Sequence, residues 1–454
     1  MSQTPEILGD IWSALSGPED LLAHVKETGE GALPSAFAVT DFASASIASA
    51  GVALAEFAAL RAFAPPDVVV DRRLSSFWFA KSIRPMGWSL PPQWDPIAGN
   101  YAAKDGFIRL HTNAAHHRMA CLRVLGCAAD ANSVAEAVRS WDAEALQEAV
   151  VTEGGVAAKM YTQSEWATHL QGIAVAHEPL AHWEKSFGSH LRGFGRADRP
   201  LEGLRVLDLT RILAGPVATR FLAAYGADVL RIDPPHWDEP AVLPEVTPGK
   251  RRARLDLTRD DDRNIFKRLL TEADVLVHGY RADALDKLGF GWKVRRSINP
   301  DLIDVALNSY GWTGPWSGRR GFDTIVQMSS GLAQAEMVHA GAHSPQQLPV
   351  QALDYGTGHI MAAAVIRALS EAQSGKRSRV RLSLARTAKF LARWRATEIA
   401  NRVPETDVDL QTSLENTHWG SARRLKPALS LNGIPCQFTR PAGLLGSDAP
   451  TFGG

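Results

Sequence analysis

The sequence predicts an α/β fold with a doubly wound parallel sheet, and residues 201–233 are the main reason. This segment has the pattern of a strand, a glycine turn, a helix and a second strand within about thirty residues, which opens such a sheet. A further apolar run, 273–277, is typical of another buried parallel strand. Ligands of these sheets bind at the carboxyl ends of the strands, so we expect a functional site there.

Each element of residues 201–233 has its own signal. Residues 205–209 are apolar and β-branched enough for a buried strand. Gly215 and Pro216 are predicted to break the chain, and helical spacing of apolar residues then extends over 217–225. Gly226 is expected to end that helix, because glycine readily takes the left-handed conformation of a helix C-terminus.

The first part of the chain predicts a second, smaller α+β domain. Asp105 and Gly106 have the composition of a hairpin turn. Thr162 and Glu165 have the spacing of a capping box. The predicted elements are helices over 39–62, 116–125, 141–151 and 162–170, a strand over 68–70, a Trp- and Pro-rich loop over 88–97 and a hairpin over 101–110.

A cluster of Gly, Pro and charged residues at 193–202 separates the two patterned regions. We therefore predict two domains, residues 1–195 and residues 196–454. The second would contain the parallel sheet and a C-terminal tail.

Composition narrows the function classes. Of 454 residues, 45% are hydrophobic, and 49 Lys and Arg balance 49 Asp and Glu. A formal charge of zero argues against nucleic acid or a membrane surface as a partner. The chain contains no uninterrupted apolar run of about 18 residues and no charged start followed by an apolar core, so we expect a cytoplasmic protein. Three cysteines, Cys121, Cys127 and Cys436, without C-x-x-C spacing predict neither disulfides nor a zinc site.

Two distant segments are similar to each other. Residues 39–46, a small-residue helix and the strand near 68–70 parallel residues 352–359, another small-residue helix and a strand at 379–384. Asp41 then corresponds to Asp354. This pattern predicts an internal repeat; the alternative is a chance likeness between two alanine-rich helices that precede strands.

Several short motifs follow in a set order and resemble one family. They are GKRRARLD at 249–256, LDKLGF at 285–290, YGWTGP at 310–315 and GFDTIV at 321–326. Together with residues 201–233 they resemble the class III CoA-transferases of the CaiB/BaiF type, a family that includes formyl-CoA transferases and α-methylacyl-CoA racemases. The resemblance implies a Rossmann-like sheet over 201–390, the family's smaller domain over 95–180 and its tail near 430–443. The chain then resembles a truncated first copy followed by a second copy that lacks the smaller domain.

The resemblance also implies the chemistry. Such an enzyme moves CoA from an acyl-CoA to a free carboxylic acid, through an aspartyl anhydride and an aspartyl-CoA thioester, and Asp354 matches the nucleophile. A carboxylate can form both intermediates, and helix N-terminal amides could hold the oxyanion. Read from the residues alone, Asp354 could instead be only an N-cap. Asp41 is expected to be an inert relic whose loss costs no more than a cap.

The resemblance also implies which residues contact CoA and which partners the protein has. Acyl-CoA is expected as a substrate and no permanently bound cofactor or metal is expected; the family forms interlinked dimers, so we expect a homodimer. One departure concerns the turn that usually has the form E-N-[FY]-[RK]-P-G, which in this chain is HGYRAD at 278–283 and lacks the Asn and the Pro-Gly pair. The expected CoA contacts are Val217, Lys250, Arg251, Gly279, Tyr280, Lys287 and Arg320.

Other functions were weighed against this one. A dehydrogenase with a doubly wound sheet would have G-x-G-x-x-G at the first turn, where this chain has 211–216, RILAGP. A racemase of the family needs the His of a G-H-D stretch, and this chain has Phe322 in that place, which cannot exchange a proton. A non-catalytic CoA-binding homologue is the remaining alternative. His278 could be a general base or a structural residue, and His116 and His117 lack the spacing of a metal site.

Overall fold

The structure is a computed structural model that describes residues 2–60, 65–189, 195–196, 198–280, 284–398 and 400–453. The strands are β1 (Val25–Thr28), β2 (Val68–Asp71), β3 (Ile83–Pro85), β4 (Gly99–Ala102), β5 (Phe107–Leu110), β6 (Ala157–Lys159), β7 (His182–Phe187), β8 (Arg205–Leu209), β9 (Asp228–Asp233), β10 (Lys250–Arg254), β11 (Val275–His278), β12 (Ile303–Asn308), β13 (Lys376–Ser383), β14 (Glu415–Thr417), β15 (Gly420–Arg424) and β16 (Leu429–Leu431).

The helices fill the spaces around and between the sheets. They are α1 (Thr4–Ala14), α2 (Val39–Ala59), α3 (Arg72–Trp78), α4 (Ala115–Leu125), α5 (Ala131–Val138), α6 (Ala143–Thr152), α7 (Gln163–Thr168), α8 (Leu170–His177), α9 (Ala214–Ala224), α10 (Leu243–Val246), α11 (Asp260–Glu272), α12 (Ala284–Lys287), α13 (Trp292–Ile298), α14 (Asp323–Ser329), α15 (Leu332–His339), α16 (Ala352–Ala372) and α17 (Leu384–Leu391). Short 3₁₀ helices lie at Glu19–His24 and Asp407–Asp409.

The largest sheet has seven strands in the order β10-β9-β8-β11-β12-β13-β7. Six strands are parallel, and only β7, at one edge, is antiparallel. Numbered along the chain, the parallel strands have the order 3-2-1-4-5-6, which is that of a dinucleotide-binding sheet. The direction of the winding changes between β8 and β11, where Leu209 lies level with His278. The predicted α/β class and its doubly wound sheet are confirmed.

The first strand-helix unit differs from the prediction in one detail. The helix α9 begins at Ala214, so Gly215 and Pro216 lie inside its first turn and do not break the chain. Proline is tolerated there because first-turn N–H groups have no partner within the helix. Gly226, with φ +117°, follows the end of this helix in a left-handed conformation, as predicted.

The smaller α+β domain is also present. The strands β4, β5 and β6 form an antiparallel sheet that packs with α4, α5 and α6 around its own apolar core. Gly106 lies between β4 and β5 at the predicted hairpin turn. Thr162 and Glu165 form the predicted capping box, but the helix it starts ends at Thr168 and a separate helix follows.

The two predicted domains exchange strands. The strand β7 precedes residue 195 and joins the large sheet beside β13. The strands β15 and β16 of the C-terminal tail pair with β3 and β2 of the first part of the chain. The predicted boundary segment, 193–202, includes residues 193, 194 and 197, which lie outside the described residues.

Two central helices, α2 and α16, each of 21 residues, pack against each other in the core. By length and composition α2 is apolar enough to cross a membrane, but 83% of its most apolar window is buried inside the protein. Gly356 of α16 permits the close packing, because a Cβ at this position would overlap the ring of Phe42 on α2. Gly356 therefore serves the close packing of the two helices.

Candidate active site

A cavity of 390 Å³ lies outside the carboxyl ends of three central strands, at the point where the winding direction changes. Thr210 follows β8, Gly279 follows β11, and Asn308 ends β12; all three line the cavity. The smaller domain covers it with His116 and His117 of α4. A cavity is therefore present at the strand ends, where the predicted sheet would bind a ligand, and both parts of the chain contribute to its lining.

Asp354 lies at the edge of this cavity, in the first turn of α16. The residue is 6% exposed, and its carboxylate forms no ion pair with any residue that the structure describes. The helix begins at Ala352, with Gln351 in the capping position, so the interpretation of Asp354 as an N-cap is wrong. An acidic side chain in the first turn still benefits from the helix dipole.

The carboxylate of Asp323 is the hydrogen-bond acceptor for a backbone N–H at the start of α16. Its Oδ2 accepts a hydrogen bond from the backbone N–H of Asp354 at 2.9 Å. The side-chain amide of Gln327 donates to its other oxygen. Burial raises the pKa of Asp323 to about 6. The amide of Asp354 is thus already engaged by Asp323, so the expectation that the N-terminal amides of this helix hold an oxyanion is not met there.

The pKa of Asp354 is raised well above its ordinary value. Burial is the main cause, and the neighbouring carboxylate of Asp323 is the second. Two buried carboxyls side by side cannot both ionise without a large electrostatic cost. Once ionised, such a carboxylate is unusually basic and therefore a stronger nucleophile than an exposed one.

Three arginines give the cavity a positive lining: Arg211, Arg319 and Arg320. The Arg211 guanidinium lies over the rings of Trp237 and Tyr280, 4.6 and 4.9 Å from their centroids, and donates to the Tyr280 hydroxyl at 3.0 Å. Arg320 donates to a backbone carbonyl of the smaller domain, Gly154, at 3.0 Å. Guanidinium groups held in this way are suited to phosphate oxygens.

The structure brings together some of the predicted CoA contacts and not others. Gly279, Tyr280 and Arg320 line the same cavity as Asp354. Lys287 is exposed at the end of α12, outside the lining. Residues 281–283 of the altered turn lie outside the described residues.

Val217 and Arg251 also lie away from the cavity lining. Val217 of α9 is buried and packs against Gly358 of α16. Arg251 pairs with Asp228 at 3.0 Å. Their predicted contacts with CoA are not supported by these positions.

Lys250 has a structural role that the sequence did not reveal. It is fully buried, and its Nζ donates to Thr219 Oγ1 at 2.7 Å and the Pro216 carbonyl at 2.9 Å, besides pairing with Asp208 at 3.1 Å. Burial lowers the pKa of Lys250 to about 8. Three partners use all three donors of an ammonium. The prediction that Lys250 contacts a CoA phosphate is therefore corrected: this lysine holds β10 against β8 and α9.

A second cavity, of 240 Å³, lies on the other side of Asp354. The two cavities share the side chains of Ile212, Trp237, Phe322 and Asp354. Trp94 and Asp95, from the loop predicted at 88–97, line the second cavity. Asp354 therefore lies between two spaces, as a residue that acts on both substrates would.

Ile212, which separates the cavities, has a strained backbone. Its φ is +64°, which is rare for a β-branched residue. The strain is held in place because its N–H donates to Glu239 Oε2 at 2.9 Å. Such conformations cost about 1–3 kcal/mol and cluster at functional sites. Sequence patterns gave no signal for this residue.

Two histidines of the smaller domain surround Phe322. His111 stacks on its ring with centroids 3.9 Å apart, and His117 approaches it edge-on at 5.9 Å. Burial lowers the pKa of each histidine to about 3, so both are neutral. Neither ring nitrogen of His117 has a hydrogen-bond partner among the described residues. Residue patterns point to His117 only as a possible metal ligand and contain no signal for His111.

His278 and possible metal ligands are the remaining features to place. His278 is buried 3.3 Å from Asp304, beside Arg295, and does not line the cavity, which favours its structural interpretation. In the described part of the chain, no three His, Cys, Asp or Glu side chains are grouped so that they could hold a metal ion.

Asp41 lies in a different environment from Asp354. It forms a buried ion pair with Arg72, and the Ser2 hydroxyl and the Gln3 N–H also donate to its Oδ1. It lines neither cavity. This position argues against the expectation that Asp41 contributes no more than a cap, because Asp41 is one partner of a buried salt bridge.

Comparison with known proteins agrees with the fold and the motifs. Residues 201–418 match the model of CoA-transferase family III. A protein of Mycobacterium tuberculosis named as a probable fatty acyl-CoA transferase is 34% identical over 185 residues, which are 38% of this chain and 46% of that protein. An acetyl-CoA:oxalate CoA-transferase of Acetobacter aceti is 38% identical over 148 residues, 30% of this chain and 38% of that protein.

The crystal structure of the mycobacterial protein superposes on this chain with a TM-score of 0.39 and a sequence identity of 34%. The match covers 42% of this chain and 56% of that one. The chain thus spans about half the length, or less, of the relatives it matches. The ordered motifs of the sequence and the family match cover the same segment. Residues 201–418, slightly less than half of the chain, are therefore similar to CoA-transferase family III.

Proposed function

We propose that the protein transfers CoA from an acyl-CoA to a free carboxylic acid, with Asp354 as the nucleophile. The observation that carries this proposal is the position of Asp354 between two cavities of different character. One cavity is lined by arginines and lies at the strand ends, where the phosphates and thiol arm of CoA would bind. The other would hold the acyl group or the acid.

The steps balance without an oxidant or reductant. A carboxylate oxygen of Asp354 attacks the thioester carbonyl carbon. The C–S bond breaks, CoA leaves as a thiolate, and a mixed anhydride of Asp354 and the donor acyl group remains. The thiolate then attacks the aspartyl carbonyl carbon and releases the donor acid. The acceptor carboxylate attacks the carbonyl carbon of the resulting aspartyl thioester, which frees the CoA thiolate and forms a second mixed anhydride. The thiolate then attacks the acceptor acyl carbon of this anhydride, which gives the new acyl-CoA and restores the Asp354 carboxylate.

His117 is the group best placed to assist these steps. It lines the same cavity as Asp354, and its two ring nitrogens have no hydrogen-bond partner among the residues that the structure describes. Because burial keeps the ring neutral, it can donate one N–H to a developing oxyanion without adding a charge.

The proposal is tested by isotope exchange between a labelled free acid and its acyl-CoA. We expect Asp354→Asn to reduce exchange by at least about a thousandfold while the protein remains folded. Asp260→Asn is the matched control, since Asp260 is fully exposed on α11. In the active protein, hydroxylamine should label Asp354 after incubation with acyl-CoA. Exchange that survives in Asp354→Asn would exclude this nucleophile, whereas CoA binding without exchange in the wild type would favour a non-catalytic homologue.

Binding of CoA tests the role of the arginine-lined cavity. Arg211→Gln and Arg320→Gln should each raise the dissociation constant of CoA about tenfold, equivalent to about 1.4 kcal/mol. Arg251→Gln is the control, because Arg251 pairs with Asp228 away from the cavity. Titration calorimetry measures all three, and an effect confined to Arg251→Gln would place CoA elsewhere.

A further inference from the structure

We infer that the second cavity selects acids with an uncharged, apolar or aromatic body and rejects dicarboxylic acids. The inference rests on the proposed function for its biological meaning and concerns only the cavity of 240 Å³ beside Asp354. It follows from three properties of the lining: its apolar surfaces, its charges and the state of its two tryptophans.

The walls are largely apolar. Trp94 and Trp237 face the cavity from two loops, and Ile212, Val242 and Phe322 also line it. Removing an alkyl or phenyl group from water against such walls is favourable by about 25 cal/mol per Å² of apolar surface. An uncharged acyl chain would gain this free energy of burial without the cost of removing a charge from water.

The charges of the lining are all of one sign. Among the described residues no Lys or Arg lines this cavity, whereas Asp95, Asp238, Glu239 and Asp323 do. Glu239 is neutralised by Arg231, whose Nη2 donates to it at 2.6 Å, and Asp95 lies 3.7 Å from Arg118 Nε, so Asp238 is the lining carboxylate that most directly opposes a second negative charge. Asp238 is exposed, and its Oδ1 accepts a hydrogen bond from the backbone N–H of Glu239 at 2.9 Å. A second carboxylate on the substrate would lose water here and meet like charge without a cation to pair with.

A cationic substrate tail is also disfavoured. The ring of Trp94 is already covered by the Arg109 guanidinium at 4.9 Å, and that of Trp237 by Arg211 at 4.6 Å. An aromatic cage for an ammonium group needs free ring faces. Each arginine thus occupies a ring face that such a cation would use.

The lining offers a neutral donor for the one carboxylate that must react. His111 is 5% exposed and lines the cavity, and its Nδ1 has no hydrogen-bond partner in the described part of the chain. A neutral imidazole can donate a single hydrogen bond. This arrangement accommodates a reacting carboxylate near Asp354 and leaves the rest of the acid among apolar walls.

Hexanoate and adipate make a matched pair of probes, since both have six carbons and differ in the terminal carboxylate. With the CoA-loaded protein, calorimetry should show hexanoate binding at least about tenfold more tightly than adipate. Isotope exchange should show a preference in the same direction. Equal or tighter binding of adipate, or binding of neither acid, would overturn the inference. Hexanoate binding without any exchange would instead defeat only the proposed function.

Asp238 provides a graded test of the charge argument. Asp238→Asn retains an acceptor for the Glu239 N–H, whereas Asp238→Lys introduces a cation at the same exposed position. The ratio of hexanoate to adipate affinity should fall from wild type to Asp238→Asn and fall further in Asp238→Lys. A ratio that is the same in all three proteins would show that charge in this cavity does not determine the choice of acid.

Discussion

Asp41 and Asp354 occupy the same place in two similar units and have opposite surroundings. Each is the third residue of a 21-residue helix. The residue just before each helix has nearly the same backbone angles, φ −74° and ψ 57° at Ala38 and φ −76° and ψ 63° at Gln351. Each helix leads to a strand and then to a helix capped by a side chain, Asp71 or Ser383.

The difference arises one residue after each capping residue. In the first unit that residue is Arg72, which forms the ion pair with Asp41. In the second unit it is Leu384, which lines the arginine-rich cavity together with Asp354. The same backbone position therefore holds either a neutralised structural acid or a carboxyl with a raised pKa. We therefore expect that the residue opposite the carboxylate, and not the helix start, determines which of the two it becomes.

The largest expected effect comes from giving the second unit the arginine of the first. Leu384→Arg should place a cation beside Asp354, lower its pKa and fill part of the cavity. We expect CoA exchange to fall by at least about a hundredfold. Leu384→Met is the control for size, and it should retain most of the activity. Full activity in Leu384→Arg would show that this exchange of residues does not explain the difference between the units.

Removing the acid of the first unit should affect stability and not activity. Asp41→Asn removes the most buried carboxylate partner of Arg72 and leaves Glu398 at 2.7 Å and Glu27 at 3.6 Å. We expect a loss on the order of 3 kcal/mol in the free energy of unfolding, as for a broken buried ion pair. Urea denaturation measures this loss, and isotope exchange by the folded fraction should be unchanged. A loss of about 1 kcal/mol would instead match a simple cap.

The packing between the two helices gives a third test. In a helix interior, Gly→Ala normally stabilises by about 1 kcal/mol. Gly356→Ala should instead destabilise by about 2 kcal/mol, because the new methyl group would overlap the ring of Phe42. Combining it with Phe42→Leu should remove part of this penalty in a double-mutant cycle. Additive losses would mean that the two residues do not restrict each other.

The smallest expected effect is a gain of stability at the nucleophile. In the folded protein burial raises the pKa of Asp354, and that of Asp323 to about 6, so protons are retained that the unfolded chain releases near pH 4. The free energy of unfolding therefore falls as pH rises above 4. Asp354→Asn should be more stable than wild type by about 1 kcal/mol at pH 7, with little difference at pH 4. Thermal unfolding across this range checks it; a difference independent of pH would contradict the cause.

Local patterns were sufficient for much of the fold. The strand at 205–209, the hairpin turn at Gly106 and the capping box at Thr162 lie where their residue patterns placed them. These features depend on neighbours a few residues apart, so one sequence carries the signal. The position of Asp354 at the strand-end cavity followed from the order of the family's motifs.

Other features depended on contacts between distant segments. The sequence by itself determined the parallel sheet, the smaller domain and the choice of Asp354 as the candidate nucleophile. Only the tertiary structure placed Lys250 in the core with Asp208, Asp323 beside Asp354, and His111 against Phe322. The physical reason is that a residue pattern reports which face of an element is buried, whereas charge, pKa and access depend on which remote side chain lies opposite it.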